Sequence, residues 1–207
     1  MSVYGRIFAA MYDRMMAGTE KAGLSERRHE LLAQASGRVL EIGAGTGVNL
    51  AHYTDAVTEL VLTEPEEPMA KRLEEKAAAS GRPMTVVRAP AESLPFPDDS
   101  FDTAVCTLVL CTVRDPEQAL AELERVLKPG GRLLFLEHVR SDDPGVAKWQ
   151  DRIAPIWRKV GHGCNLNRPT PDFIRRAPFA EVEIEEGELP KAPSFARPLR
   201  SGRALAR

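Results

Sequence analysis

The chain has 207 residues, of which 43% are hydrophobic and 28% charged, a composition typical of a globular domain with a substantial core. The formal net charge is −2, so the chain lacks the overall basic field that holds nucleic acid or an anionic membrane. It shows neither an apolar run of signal-peptide length nor a membrane-spanning run, and we expect a cytoplasmic protein without an integral membrane segment.

Short apolar segments alternate with helix-forming segments. The strand candidates in chain order are 37–45, 58–64, 84–89, 101–109, 131–139, 181–187 and 201–207. The helix candidates are 67–81, 116–127, which begins at Asp115-Pro116, and 149–161, with an expected kink at Pro155. Most strands are thus joined through helices, which predicts an α/β fold with a parallel sheet and helices on both faces.

The fourth strand candidate, 101–109, is apolar without alternation, which is typical of a central parallel strand buried on both sides. It contains Cys106, and Cys111 follows at a spacing too wide for a Cys-x-x-Cys redox motif. With Cys164 the chain has three cysteines, too few for a disulfide framework. We expect all three to pack as small apolar residues rather than to react.

A glycine-rich turn, EIGAGTG at 41–47, follows the first strand. Its glycines allow a tight turn and a close approach of the backbone to a ligand. Val48 stands where the dinucleotide fingerprint has its third glycine, and no basic residue accompanies the turn to meet phosphates. The turn therefore favours a nucleoside with a cationic tail over a pyrophosphate, the alternative being a plain strand-to-helix turn.

An acid, Glu64, ends the second strand. In open α/β sheets an acid at this position binds the hydroxyls of a ribose. The alternative is an exposed acid at the start of the next helix, whose sequence EPEEP is rich in acids. Beside the glycine turn, the ribose interpretation is favoured.

Four segments together resemble the class I S-adenosylmethionine (SAM) methyltransferases of the type 11 group. They are VLEIGAGTGVNL, the acid after strand two, AESLPFPDDSFDTAV and LAELERVLKPGGRLLFLEH, which agree in order and spacing over about 37–139. The resemblance implies SAM as the cofactor and a Rossmann-like, seven-stranded sheet that is mostly parallel with an antiparallel last strand. It further implies one methyltransferase domain, 1–207, with 1–36 as an N-terminal helical cap.

The same resemblance implies which residues bind the cofactor. The glycine turn lines the methionine and ribose portions, the acid of strand two takes the ribose hydroxyls, and the ends of the third and fourth strands contact the adenine and the methionine tail. The group usually has Asp where this chain has Pro90, so here the adenine relies on the two residues that follow. The implied set is Glu41, Gly43, Ala44, Gly45, Gly47, Glu64, Pro65, Ala91, Glu92, Thr107 and Leu108.

A narrower resemblance concerns the acceptor. The segments VCTLVLCTV, FLEHV and GCNLNR, with two tryptophans between the last two, are similar to the methyltransferase-like alkyl thiol methyltransferases. This implies methylation of a small, fairly apolar thiol. The alternatives are a quinone-type ring carbon, a phenol or a phospholipid amine, and, in another class, a SAM-binding module without catalysis. A nicotinamide-dependent oxidoreductase is disfavoured by Val48.

On the acceptor side, His138 follows the fifth strand and is a candidate general base, the alternative being a structural histidine. The predicted substrate pocket comprises Tyr12, Trp149, Trp157 and His162. The alternatives are a surface amphipathic helix around Tyr12, a plain turn at His162, and core packing of the apolar stripe formed by Trp149, Ile153, Ile156, Trp157 and Val160. No group of residues has metal-ligand spacing, so we expect no metal, and a small-molecule acceptor rather than nucleic acid is the expected partner. The sequence does not determine an oligomeric state.

Overall fold

The structure is a computed structural model that describes residues 3–207, so the first two residues of the predicted cap, 1–36, lie outside the described part. Seven described strands form one sheet, and they are β1 (Gly37–Ile42), β2 (Val57–Thr63), β3 (Met84–Val87), β4 (Phe101–Thr107), β5 (Leu127–His138), β6 (Glu181–Glu188) and β7 (Pro198–Leu205). Their spatial order is β3-β2-β1-β4-β5-β7-β6. Only β7 runs antiparallel to its neighbours, which confirms the predicted mostly parallel sheet with an antiparallel last strand.

The helices flank this sheet. They are α1 (Val3–Thr19), α2 (Ser25–Leu32), α3 (Glu67–Ala79), α4 (Pro116–Val126), α5 (Pro144–Val160) and α6 (Thr170–Arg176), with a π-helical turn at Glu20–Leu24 and 3₁₀ turns at Val48–His52 and Ser194–Ala196. None of the helices in this part of the chain is long and apolar enough to cross a membrane.

Proline decides several of the boundaries. Asp115 caps α4 as predicted, because its carboxylate accepts hydrogen bonds from the backbone N–H of Glu117 and Gln118. α5 begins at Pro144 rather than at Trp149, with Asp143 as its N-cap, and it continues through Pro155. The connection between β3 and β4 contains no helix, and three prolines lie within its residues 88–100.

Two apolar clusters sandwich the sheet. One joins the sheet to α4 and α6, and the other joins it to α2 and α3. β4 lies between β1 and β5, and Phe101, Val105 and Cys106 on it are completely buried. The predicted central strand is confirmed, and the chain turns at its carboxyl end.

Candidate active site

The carboxyl edge of the sheet brings the predicted cofactor segments together. Strand order reverses between β1 and β4, which is where ligands of open α/β sheets bind. The backbone N–H of Ala44, in the glycine turn after β1, donates to the carbonyl oxygen of Thr63 at the end of β2, 2.9 Å away. On the other side, the N–H of Leu108 after β4 donates to the carbonyl of Leu136 in β5 at 2.8 Å. The turn after β1 is thus flanked by the ends of β2 and β4.

The glycine turn needs its glycines for two different reasons. Gly43 has a φ of 56°, and a Cβ atom there would lie 2.8 Å from the side chain of Val109. Gly45 has a φ of 58°, but the nearest atom to its Cβ position is a backbone oxygen 4.0 Å away. The first glycine permits packing against the segment after β4, while the second leaves open space in which a ligand can approach the backbone.

Glu64 holds this turn in place. Its side chain is 6% exposed, and its two carboxylate oxygens accept hydrogen bonds from the N–H groups of Gly45, at 2.9 Å, and Glu66, at 2.8 Å. Burial raises the pKa of this carboxyl, and the charge of Glu66 adds to the effect, against the two backbone hydrogen bonds. Each oxygen can accept a further hydrogen bond. The ribose-binding role remains a prediction. The structure adds a second role, since Glu64 also holds the backbone of the glycine turn.

The predicted adenine contacts differ in exposure. Pro65 is exposed, whereas Ala91 is 6% exposed and belongs to the core. The carboxylate of Glu92 accepts a hydrogen bond from the N–H of Arg114 at 2.7 Å, so it supports the segment that leads into α4. Pro65 is therefore the residue of this group with the most free surface for a ring.

The site also contains a buried arginine, which the sequence analysis did not single out. Arg28 on α2 is 3% exposed, and it donates to the side-chain oxygens of Asn49 at 2.9 Å and Thr107 at 2.8 Å. An ion pair with Glu20, 3.1 Å away, balances its charge. In the sequence this residue is one of several charges in SERRHE, and nothing there distinguishes it from a surface cation.

Glu41 belongs to the same network. Its carboxylate accepts hydrogen bonds from the amide of Asn49 at 2.8 Å and the hydroxyl of Tyr53 at 2.7 Å. Burial raises the pKa of Glu41 to about 7, against these two hydrogen bonds and the nearby charge of Arg28. These contacts tie Glu41 to the segment that follows the glycine turn, and its predicted role in cofactor binding remains a prediction.

The end of β4 carries backbone strain. Leu108 has a φ of 60°, a left-handed conformation that a branched side chain adopts rarely. Such strain persists where the surroundings enforce it, and it concentrates at functional sites. Here the enforcing contact is Glu137, a completely buried acid in β5 that accepts hydrogen bonds from the N–H groups of Val109, Leu110 and Cys111 at 2.9, 3.1 and 3.3 Å. Burial raises the pKa of Glu137 to about 7, against these bonds.

Helix α1 is tied to the glycine turn. Asp13 accepts hydrogen bonds from the hydroxyl of Thr46, in the turn, and from Lys76 on α3, 2.9 Å away. Although burial opposes it, these two contacts lower the pKa of Asp13. The neighbouring residue, Tyr12, has a pKa raised to about 12, chiefly by burial. These contacts place α1 beside the glycine turn, and its role as a cap over the cofactor remains a prediction.

The predicted pocket residues fall into two groups. Phe8 of α1 lies between Tyr12 and His162, with ring centroids 5.6 and 4.6 Å away. His162 also approaches the carboxylate of Glu66, at 3.9 Å, so the loop after α5 reaches the segment that follows β2. This group forms a cover over the carboxyl edge of β2.

The second group lies on α5. Trp149 and Trp157 line an open groove of about 490 Å³ together with Phe195. Trp149 is 60% exposed and Ile156 is 69% exposed, so the apolar stripe of α5 is not part of the core. The structure therefore does not place the two tryptophans in one cavity with Tyr12 and His162.

His138, the candidate base, is 5% exposed at the end of β5. Its Nδ1 atom lies 3.9 Å from the sulfur of Cys164, and its Nε2 atom has no hydrogen-bond partner among the described residues. A buried nitrogen in this state is available to a proton or a ligand. Its catalytic role remains a prediction.

Residues that the sequence argument left out of the site lie elsewhere. Asp102, at the amino end of β4, accepts from the N–H of Arg38 and pairs with Lys128 at 2.6 Å. The glutamates of β6 are exposed along an edge strand. In the described part of the chain, no cluster of His, Cys, Asp and Glu could hold a metal ion.

Comparisons with known proteins agree with this geometry. A family model described as a methyltransferase domain matches residues 40–135. The chain is similar to thiol S-methyltransferase TMT1B of Rattus norvegicus, with 40% identity over 71% of this chain and 62% of that protein, and so spans less than two thirds of it. It is 32% identical to thiol S-methyltransferase TMT1A of Homo sapiens over 92% of this chain and 80% of that protein.

Two further similarities extend the range. The ubiquinone/menaquinone biosynthesis C-methyltransferase UbiE of a Marinomonas species is 34% identical over 83% of this chain and 72% of that protein. Among solved structures, a SAM-dependent methyltransferase of Thermotoga maritima, described as a possible histamine N-methyltransferase, has a TM-score of 0.72 and 25% identity, with 98% of each chain covered.

Proposed function

We propose that this chain, which belongs to the SAM-dependent methyltransferases, transfers the methyl group of SAM to the sulfur of a small, fairly apolar thiol. The observation that carries the choice of acceptor is the 32% identity to a thiol S-methyltransferase over 92% of this chain. The polar groups at the carboxyl edge of the sheet support SAM as the cofactor.

The donor set at the carboxyl edge fits SAM. The cofactor offers a ribose diol, which donates hydrogen bonds, and Glu64 has a buried carboxylate with acceptor capacity left. SAM also carries a carboxylate. Arg28, a buried cation near the ends of β1 and β4, is the residue we assign to it. Gly45 leaves the space that close backbone contact requires. When bound, SAM supplies a methyl group activated by a sulfonium, whose departure leaves a neutral thioether.

The protein's own contribution is alignment and exclusion of water. The strained turn at Leu108 lies at the end of β4, and the hydrogen bonds to Glu137 hold the residues that follow it in a fixed position. We assign this turn to the surface against which the methionine part of SAM lies. The cover formed by α1 and His162 closes the side next to β2. A thiol with a pKa near 8.5 is a few per cent thiolate at neutral pH and already nucleophilic, so such a site needs only a weak base. His138 is the residue we assign to that task.

The test is a product screen by mass spectrometry with purified protein, SAM and a panel of thiols, phenols, quinols and amines. We expect methylated thiols only. Methylation of a phenol, an amine or a quinone ring carbon with every thiol left unchanged would move the chain to another acceptor class. Of these, the ring carbon is the one for which the similarity to the C-methyltransferase UbiE gives a specific reason. Binding of SAM in calorimetry without any product would instead indicate a binding module.

A further inference from the structure

Two cysteines that are far apart in the sequence lie in contact next to the carboxyl end of β4. Cys111 lies in the turn after β4 and Cys164 in the loop after α5, and their sulfur atoms are 3.7 Å apart. Both are free thiols, and a disulfide S–S bond is about 2.05 Å long. The sequence predicts two unrelated packed cysteines, whereas the fold makes them a pair.

The backbone holds this pair in register. Asn165, next to Cys164, donates from its backbone N–H and from its side-chain amide to the carbonyl oxygen of Cys111, at 2.8 and 3.1 Å. The same amide also bonds to the carbonyl of Gly163 at 3.0 Å. Both segments are therefore anchored beside the sulfurs, and the gap that a disulfide would have to close lies between the two side chains.

The two thiols have opposite surroundings. Cys111 is 2% exposed, while Cys164 is partly exposed and therefore the one that a solute reaches. The sulfur of Cys164 lies 3.9 Å from Nδ1 of His138. The hydrogen bond between the two sulfurs and the contact with His138 lower the pKa of Cys164 against the effect of burial, and the same hydrogen bond together with burial raises the pKa of Cys111. One thiol is thus disposed to attack and the other to remain protonated.

The geometry points to a dithiol–disulfide exchange site in which Cys164 attacks small-molecule disulfides and Cys111 resolves the product. In the first step the Cys164 thiolate forms a bond to one sulfur of the disulfide RS–SR, and the S–S bond breaks to release RS⁻. In the second step Cys111, losing its proton, attacks Cys164 in the mixed disulfide and expels the second RS⁻. The balance is one disulfide reduced to two thiols and one Cys111–Cys164 disulfide formed.

The exchange uses neither SAM nor a methyl acceptor, so its success or failure is independent of the proposed function. It does bear on it chemically, because a single exchange releases two thiols per chain, and a thiol is the proposed kind of acceptor. Closing the disulfide would also fasten the loop 161–165, which contributes His162 to the cover, to the end of β4.

The experiment incubates the reduced protein, without SAM, with oxidised glutathione as the small disulfide, followed by intact-mass analysis and peptide mapping under acid quench. We expect the wild-type protein to lose two hydrogen atoms, to release two molecules of glutathione per chain and to yield one linked peptide pair containing Cys111 and Cys164. Cys111→Ser should stop at a stable glutathione adduct on Cys164 with one molecule released. Cys164→Ser should react slower by an order of magnitude or more, because the attacking thiolate is gone.

The matched control is Cys106→Ala, which removes the completely buried third cysteine and should leave the exchange unchanged. Circular dichroism and thermal unfolding of each variant establish that it is folded. The wild-type arm decides the question without any variant. No reaction with oxidised glutathione, a stable glutathione adduct in place of the linked pair, or a linked pair that includes Cys106 would each overturn the assignment.

Discussion

Replacing Glu64 by glutamine tests the cofactor site at the buried acid that ends β2. The substitution keeps the size of the side chain but removes the charge that would accept the two ribose hydroxyl groups. Hydrogen bonds to charged groups contribute about 1.5–3 kcal/mol each, of which a neutral amide retains part. We therefore expect Glu64→Gln to weaken SAM binding by about 2–3 kcal/mol, which raises Kd roughly 30- to 160-fold.

The structure also sets the expected cost to stability. In the wild-type protein the carboxylate accepts from the N–H groups of Gly45 and Glu66, and the glutamine amide can accept from only one of them. On the other hand, the substitution removes a buried carboxyl whose pKa is raised by desolvation, so the cost of burying its charge disappears. We expect the two effects to offset each other to within about 1 kcal/mol. The thermal midpoint should then change little.

The assay is isothermal titration with SAM and with S-adenosylhomocysteine, run beside urea unfolding. Glu67→Gln is the matched control, since it removes a neighbouring acid that is half exposed and pairs only loosely with Arg88, at 3.7 Å. It should leave both Kd values unchanged. If folded Glu64→Gln binds both ligands as tightly as the wild type, the ribose is held elsewhere and the reasoning fails.

Four further outcomes are expected. Activity should survive EDTA in full, since no described cluster could hold a metal, and a loss restored by a divalent ion in a turnover assay would contradict this. Arg28→Met should weaken binding of SAM more than that of adenosine, measured by calorimetry, because we assign the lost cation to the carboxylate of SAM, which adenosine lacks; an equal loss would place the arginine outside the site. His138→Ala should slow thiol methylation mostly at low pH, where thiolate is scarce, and a pH-independent loss would argue against a base. The folded-state pKa of Glu41 is raised above its unfolded value to about 7, so the stability tied to its protonated form is complete below pH ~4.5 and lost as pH rises to about 7. Glu41→Gln should abolish roughly 3 kcal/mol of that fall in urea unfolding, and an unchanged pH profile would refute it.

The sequence was sufficient where a residue's role is local. The uniformly apolar β4, the cap at Asp115 and the glycine turn follow from neighbouring residues, and the structure has each of them. The start of α5 was missed, although Asp143-Pro144 repeats the signal read correctly at Asp115-Pro116, because the apolar stripe drew the boundary to Trp149. Local signals are enough when they are weighed alike.

Roles that depend on burial at long range could not be predicted. Arg28 becomes part of the site because α2 packs against β5 and the 3₁₀ turn at Val48–His52, which brings the side chain to Thr107 at the end of β4. An arginine in a charged helix gives no local sign of such burial. The same holds for Cys111 and Cys164, whose contact spans 53 positions and depends on where the loop after α5 returns to the sheet. Such contacts can be predicted only when the order of the strands and the path of the connecting segments are already known.

The tie between α1 and the glycine turn has a kinetic consequence. Thr46 is completely buried, and its hydroxyl is bonded to Asp13 of α1, so any movement of this helix away from the turn would first have to break that hydrogen bond. If α1 had to move before the cofactor could enter or leave, opening of the helix rather than methyl transfer would limit turnover. The maximal rate would then fall as solvent viscosity rises.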